Sequence, residues 1–172
     1  MRKIVGIDPG KDGGVCLMED YKVIELFPMP RIKSNVNYKK LAEHFQFCWE
    51  YGAEVFYIEE VHSLGMSGKK SNFSFGEIFG IKQGMLAMAK IPYDFVQPKE
   101  WQSHLWSNID KVYSNKKKNK IDTKATSEST AMRLYPGVDF TKSKAASKNH
   151  DGLIDATLVA RYGTMKLLGK TL

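Results

Sequence analysis

Four acidic residues have the types and positions that divalent metal chemistry requires. Asp8 and Glu59 each end an apolar run that is typical of a buried strand. Alternation along each run directs both carboxylates away from water, where they are unfavourable unless a partner or a metal ion neutralises them. Asp151 and Asp155 are four residues apart, so a helix places them on one face. Near the start of such a helix, the helix dipole favours negative charge.

The chemistry predicted for this set is phosphodiester hydrolysis. If the two strands are parallel neighbours, Asp8 and Glu59 lie side by side at one sheet edge. Four converging carboxylates repel one another without cations, and their hard oxygen ligands suit two Mg²⁺ or Mn²⁺ ions. In such a pair, about 3.5–4 Å apart, one ion activates a water and the other stabilises the leaving oxygen. Each acid also has a plainer interpretation, namely a turn residue, a surface acid at a strand end, or a first-turn helical acid.

The elements that would position these acids follow the order βββαβαβ, with helices after the last strand. Strands are predicted at 3–8, 14–18, 22–27, 54–59 and 93–96. Helices are predicted at 38–51, 73–89, 98–105, 125–134 and 151–168. Short links between the first three strands indicate an antiparallel meander, and the helix after the third indicates a parallel crossover. The predicted fold class is α/β, with a five-stranded mixed sheet (three antiparallel strands, then parallel) flanked by helices.

The composition indicates a basic globular domain. The chain has 172 residues, 42% hydrophobic and 26% charged, so we expect a single domain over 1–172 rather than disorder. Lys and Arg number 26 against 19 Asp and Glu, a net charge of +7, which favours nucleic acid as a partner. The basic loop, at about 107–124, and the loop after it supply candidate phosphate contacts: Lys116, Lys117, Lys118, Lys120, Lys124 and Lys148. The alternative for these lysines is a solvated charged surface.

A cytoplasmic protein without a membrane partner is expected. No apolar run approaches the ~20 residues that cross a bilayer, and the first ten residues do not resemble a secretory signal. Cys16 and Cys48 are too few for a disulfide scaffold and are predicted to be buried thiols in a reducing compartment.

Three glycines recur at every fourth residue of the second predicted helix, at Gly76, Gly80 and Gly84. Glycine is unfavourable by about 1 kcal/mol per site in a helix, so an aligned set indicates a close backbone contact. Packing on the sheet, packing on a second subunit and approach to a DNA backbone are the three interpretations.

Three blocks of sequence resemble RuvC-type Holliday junction resolvases, most closely their bacteriophage branch. The blocks are Ile4-Val-Gly-Ile-Asp8-Pro-Gly, Ile58-Glu59-Glu60-Val-His62 and Asn149-His-Asp151-Gly-Leu-Ile-Asp155-Ala-Thr-Leu-Val-Ala160. Shorter matches are Ser71-Asn-Phe-Ser-Phe-Gly76, Ile91-Pro92 and Val96-Gln-Pro98-Lys-Glu-Trp101. Together these blocks span nearly the whole chain in the order found in the family.

The resemblance implies a ribonuclease H-like fold and a homodimer that nicks two opposed strands of a four-way DNA junction symmetrically. It implies two Mg²⁺ ions per subunit, with Mn²⁺ as a substitute. The implied catalytic and metal-binding residues are Asp8, Glu59, Asp151 and Asp155. Glu60 is the next candidate if the strand register differs by one residue, and His150 is a minor candidate ligand.

The resemblance also directs attention to residues that would contact DNA. His62 stands where the cellular enzymes often carry an aromatic residue implicated in junction stacking. Phe73 and Phe75 are alternative candidates for junction opening, with core or dimer packing as the plainer interpretation.

Other classes of protein remain as alternatives. One is a nuclease for flaps, forks or RNA on the same fold, and another is a non-catalytic module that binds branched DNA. Such a module would gain affinity by losing its acids, because carboxylates repel phosphate. An actin-like ATPase or sugar kinase shares the Gly-Ile-Asp-Pro-Gly opening, but 172 residues leave no room for its second domain and the sequence contains no P-loop.

Overall fold

The computed structural model describes residues 1–60, 69–114, 120–143 and 145–170, and of 69–75 the backbone only. The strands are β1 (Lys3–Asp8), β2 (Gly14–Glu19), β3 (Lys22–Pro28), β4 (Arg31–Ile32), β5 (Asn35–Val36), β6 (Val55–Glu59) and β7 (Tyr93–Val96). The helices are α1 (Tyr38–Glu50), α2 (Lys69–Met88), α3 (Pro98–Leu105), α4 (Thr123–Leu134) and α5 (Asp151–Leu167). No helix among these described residues is long and apolar enough to span a membrane.

Five strands form one mixed sheet in the order β3-β2-β1-β6-β7. β2 pairs antiparallel with both β1 and β3, whereas β6 pairs parallel with both β1 and β7. The predicted sheet of three antiparallel strands followed by parallel ones is therefore confirmed. Ile7 lies opposite Ile58 in the parallel pair, so Asp8 and Glu59 follow at the same edge of the sheet.

Helices cover both faces of the sheet, which explains why its central strands are almost entirely apolar. Val5 and Ile7 of β1 pack with α1 and α2, through residues such as Phe45 and Leu86. Ile4, on the opposite face, packs with α3, α4 and α5. Cys16 and Cys48 are buried free thiols among the described residues, as predicted.

A close contact between α5 and β1 brings the last helix to the sheet edge. A Cβ added at Gly6 would lie 2.1 Å from the carbonyl oxygen of Ala156 and 2.4 Å from the Ala160 nitrogen. At the start of the helix, Gly152 packs equally closely on the backbone of Asp12 and Gly13. These contacts fix the first turns of α5 beside the turn that follows Asp8.

A short hairpin of β4 and β5 follows the meander and was not predicted. Its strands have two residues each, too few for an alternating pattern to be recognised. The hairpin joins the sheet edge through the Met29 N–H, which donates to the Gly13 carbonyl at 3.0 Å. The Arg31 guanidinium also pairs with the Asp12 carboxylate at 2.5 Å.

The glycine series of α2 does not pack on the sheet. Apart from the adjoining residues and backbone of α2 itself, no atom within the described part of the chain lies within 4 Å of a Cβ added at Gly76, Gly80 or Gly84. Packing on the sheet is therefore wrong for these glycines, because α2 turns its Ile78 and Leu86 face to the core instead. Contact with a second subunit or with DNA remains as the interpretation.

The described ends of the basic loop are held to the domain. The Asp110 side chain is only 2% exposed and pairs with Arg133 of α4 at 2.7 Å. Tyr113 and Ile121 form a bridge across the loop. α4 begins at Thr123, two residues earlier than predicted, because the Asp122 side chain caps it by accepting from the Ala125 N–H.

Candidate active site

Asp8 and Glu59 lie at the carboxyl ends of adjacent parallel strands. Glu59 is 7% exposed, and its Oε1 accepts a hydrogen bond from the Trp101 indole at 2.9 Å. Asp8 is half-buried, and its Oδ1 accepts from the Gly10 N–H at 2.8 Å, which closes a turn. Each carboxylate is therefore held by a donor from the protein.

The start of α5 adds two more carboxylates. Asp151 is the first helical residue and is exposed, and Lys124 of α4 contacts its Oδ2 at 2.6 Å. Asp155, one turn later, is half-buried and hydrogen-bonded by the Ser127 side chain of α4. We call Asp8, Glu59, Asp151 and Asp155 together the carboxylate edge.

Three acids of this edge, Asp8, Glu59 and Asp155, repel one another. Burial, and secondarily Asp8, raises the pKa of Glu59 to about 7. Burial raises the pKa of Asp155 well above its usual range, and Glu59 and Asp8 raise it further. Burial also raises the pKa of Asp8, although the Gly10 hydrogen bond opposes the effect. These three groups share negative charge that a proton or a cation would relieve.

The donor set suits a hard divalent cation, because it consists of carboxylate oxygens whose repulsion a cation would offset. The side chains are not arranged around a common point, however. In the described ranges, no group of three or more His, Cys, Asp and Glu is placed to hold a metal ion. Protein donors instead engage each acid of the edge: Gly10, Trp101, Lys124 and Ser127.

Two nearby candidates from the sequence analysis lie outside this group. Glu60 follows the end of β6, and its N–H bonds the Val96 carbonyl at 2.8 Å. His150 is the N-cap residue of α5 but makes no side-chain capping bond. Burial lowers the pKa of His150, which favours a neutral imidazole.

The candidate DNA-binding residues are only partly described. Lys120, Lys124 and Lys148 are exposed, and Lys124 lies beside the carboxylate edge. Lys116, Lys117, Lys118 and His62 lie outside the described residues, as do the side chains of Phe73 and Phe75.

Two residues of the site were missed in the sequence. Trp101 ends one of the sequence blocks named above but has no role there, and Ser127 is not singled out. Both are buried, and each bonds an acid of the carboxylate edge. The available signal was indirect: a buried carboxylate at a strand end needs a donor, and α3 directly follows the neighbouring strand β7.

The sheet and its flanking helices define a ribonuclease H-like fold. A structure of T. thermophilus RuvC in complex with Holliday junction substrate aligns with 99% of this chain and 98% of its own, at a TM-score of 0.65 and 13% identity. A second structure, Thermus thermophilus RuvC, aligns with 98% of this chain and 97% of its own, at a TM-score of 0.61 and 12% identity. No family model and no curated protein matches the sequence. The predicted resemblance is thereby confirmed at the level of the fold.

Proposed function

We propose that this chain is a metal-dependent, structure-selective DNA endonuclease that resolves four-way junctions by paired, symmetrical nicks. The carboxylate edge carries this proposal, because three mutually repelling acids from β1, β6 and α5 meet at one end of the sheet. The likeness in fold to a RuvC that is bound to Holliday junction substrate supports the choice of DNA.

In this proposal Asp8, Glu59, Asp151 and Asp155 hold two Mg²⁺ ions, with Mn²⁺ as a substitute. Four carboxylates carry the charge that two divalent ions balance. When bound, the ions supply an activated water and stabilise charge on the leaving oxygen. The protein's part is to hold the acids in place through Gly10, Trp101 and Ser127, each of which donates to one of them.

Protonation is coupled to cation binding at this edge. With a pKa of about 7, Glu59 carries a proton part of the time near neutral pH. A cation binds the deprotonated form, so its binding releases that proton and its affinity increases with pH.

Lysines around the site would bind the DNA backbone. Lys124 already places its ammonium 2.6 Å from Asp151, so a phosphate held by Lys124 lies next to the carboxylate edge. We assign Lys120 and Lys148, with Lys116, Lys117, Lys118, His62 and Phe73, to the same DNA surface. Contacts to phosphate give affinity that falls with salt and carry no base specificity.

A homodimer is part of the proposal, because symmetrical nicks on opposed strands require two sites related by a two-fold axis. The exposed glycine series of α2, together with Met88 at 85% exposure, supports that helix as the surface for a second subunit.

Strand-resolved cleavage of an end-labelled four-way junction tests the proposal. Wild type, Asp8→Asn and Glu60→Gln are compared in Mg²⁺, in Mn²⁺ and in EDTA. We expect paired symmetrical nicks from wild type and Glu60→Gln with either metal, none in EDTA, and none from Asp8→Asn, which still binds the junction. Glu60→Gln is a matched control, because it removes a carboxylate one residue beyond Glu59.

Three other outcomes reject the proposal in distinct ways. Cutting of forks, flaps or RNA hybrids but not junctions makes the chain a different nuclease on this fold. Junction binding without cutting under any condition makes it a binding module. Unchanged cutting by Asp8→Asn removes the carboxylate edge from the chemistry.

A further inference from the structure

Lys82 occupies a position where the pattern of α2 calls for an apolar residue. Ile78 and Leu86, one helical turn to either side, are buried in the core with Val5 and Ile7. Lys82 lies between them and is 0% exposed. Lysine is almost never fully buried unless its ammonium has a partner. The apolar packing of this helix face does not explain a charged residue. The explanation must therefore come from the contacts of the Lys82 ammonium.

The Lys82 ammonium donates a hydrogen bond to the carbonyl oxygen of Pro9, the residue after Asp8. Lys82 reaches this turn from the α1 and α2 face of the sheet, whereas α3 and α5 lie on the other face. The turn is also closed by the Gly10 N–H on Asp8 and the Gly13 N–H on the Gly10 carbonyl. Lys82 therefore stabilises the backbone turn that positions Asp8, and it does so from the α1 and α2 face of the sheet.

Lys82 and Asp8 also interact through charge. The ammonium lowers the pKa of Asp8, in opposition to the larger effect of burial. Burial lowers the pKa of Lys82 to about 8, with Asp8 acting against that effect, so the ammonium is mostly charged at neutral pH. Lys124, at the rim, has a side chain that is 74% exposed and screened by solvent. The charge of Lys82 is instead fixed in the interior.

We propose that Lys82 is a positioning residue that also serves as a built-in cation of the carboxylate edge. It holds the Asp8 turn through Pro9, and its positive charge weakens the attraction of the edge for divalent cations. The inference rests on the proposed function in taking the carboxylate edge as a cation site. The two roles differ in sign: loss of the charge strengthens cation binding, whereas loss of the hydrogen bond loosens the turn and slows cleavage.

Titration calorimetry with Mn²⁺ alone, without DNA, separates these effects. Lys82→Gln removes the charge but retains an N–H donor on a side chain one bond shorter, and Lys82→Met removes both the charge and the donor. Lys90→Gln removes the same charge from an exposed position after α2, near the opposite edge of the sheet. We expect both Lys82 variants to bind Mn²⁺ about three- to tenfold more tightly than wild type, and Lys90→Gln to stay within about twofold. In single-turnover cleavage at saturating Mn²⁺, Lys82→Met cuts more slowly than Lys82→Gln.

Unchanged or weaker Mn²⁺ binding by folded Lys82→Gln overturns the inference. If Lys82→Met does not fold, as judged by circular dichroism, Lys82→Gln alone decides the question. Asp8→Asn, titrated in parallel, separates this inference from the proposed function. Weaker Mn²⁺ binding by Asp8→Asn with no change in Lys82→Gln rejects only the role of Lys82. Undiminished binding by Asp8→Asn rejects the carboxylate edge as the cation site, and both proposals fail.

Discussion

Asp110 and Glu59 are both buried carboxylates, and their surroundings act on them in opposite directions. Asp110 receives two hydrogen bonds from Arg133, at 2.7 and 2.8 Å, and two more from the N–H and hydroxyl of Ser107. The guanidinium therefore holds the pKa of Asp110 well below its usual range. Glu59 receives one indole N–H and faces other acids, so its pKa is raised to about 7.

The surroundings of Asp110 stabilise the fold, whereas those of Glu59 destabilise it. Asp110 and Arg133, the anchor pair, satisfy each other within the chain. The carboxylate edge concentrates four acids, and among the described residues Lys82 and Lys124 only partly offset their negative charge. Perturbed acids of the second kind are typical of functional sites, where stability is lost in favour of chemistry.

The largest expected effect is on catalysis, from a change at the carboxylate edge. Asp155→Asn should reduce junction cleavage by at least about 1000-fold, equivalent to roughly 4 kcal/mol of transition-state stabilisation. Asp110→Asn should leave cleavage per folded molecule unchanged. Single-turnover rates, corrected for the folded fraction, provide the measurement. A comparable loss in both variants would remove the contrast between the two regions.

The next effect is on stability, from a change at the anchor pair. Asp110→Ala should lower the free energy of unfolding by about 3 kcal/mol, because it removes the carboxylate that neutralises Arg133 and accepts from the Ser107 N–H. Asp94→Ala, which breaks the exposed pair with Lys166, should lower it by less than about 1 kcal/mol. Urea denaturation of the two variants beside wild type measures both. Equal losses would mean that the anchor pair stabilises the fold no more than an exposed ion pair does.

The two regions should also respond to pH with opposite signs. The pKa of Glu59 is about 7 in the folded state against an ordinary value of 4.5, so folding takes up a proton and stability falls as pH rises between these values. The depressed pKa of Asp110 gives stability that is present above about pH 4 and lost as pH falls. In EDTA, Glu59→Gln should reduce the decline toward pH 7, with Asp8 and Asp155 still contributing to it, and stabilise the protein there by about 1–2 kcal/mol. Thermal melts from pH 4 to pH 8 test this, and an unchanged slope would contradict it.

The smallest effect concerns the basic loop, which starts near the anchor pair and ends with Lys124 at the carboxylate edge. Replacing Lys116, Lys117 and Lys118 with Ala should weaken junction binding and reduce the slope of log affinity against log salt by about 2–3. Fluorescence anisotropy at several salt concentrations measures that slope. An unaltered slope would show that these lysines do not contact phosphate.

The sheet was predictable because each buried strand is a continuous apolar run, and the parallel pairing followed from the helix between β3 and β6. The side-by-side placement of Asp8 and Glu59 followed from that pairing. The donors Trp101 and Ser127 were not predictable, because periodicity indicates which side of an element is buried and not which atom it meets. Lys82 was missed for the same reason. Ile78 and Leu86, one turn to either side of Lys82, make this face of α2 apolar. The sequence does not show that the Lys82 side chain reaches Pro9.

The close contact at Gly6 means that backbone atoms, and not side chains, determine how far β1 lies from α5. Because the strand carries only a hydrogen atom there, the separation between β1 and α5, and with it the span from Asp8 to Asp155, is set by main-chain atoms. A methyl group at this position would force the helix outward by roughly 1 Å to restore ordinary packing. Gly6 therefore sets the distance between the carboxylates, and under the proposed function Gly6→Ala would shift the preference of the site toward larger cations without changing its charge.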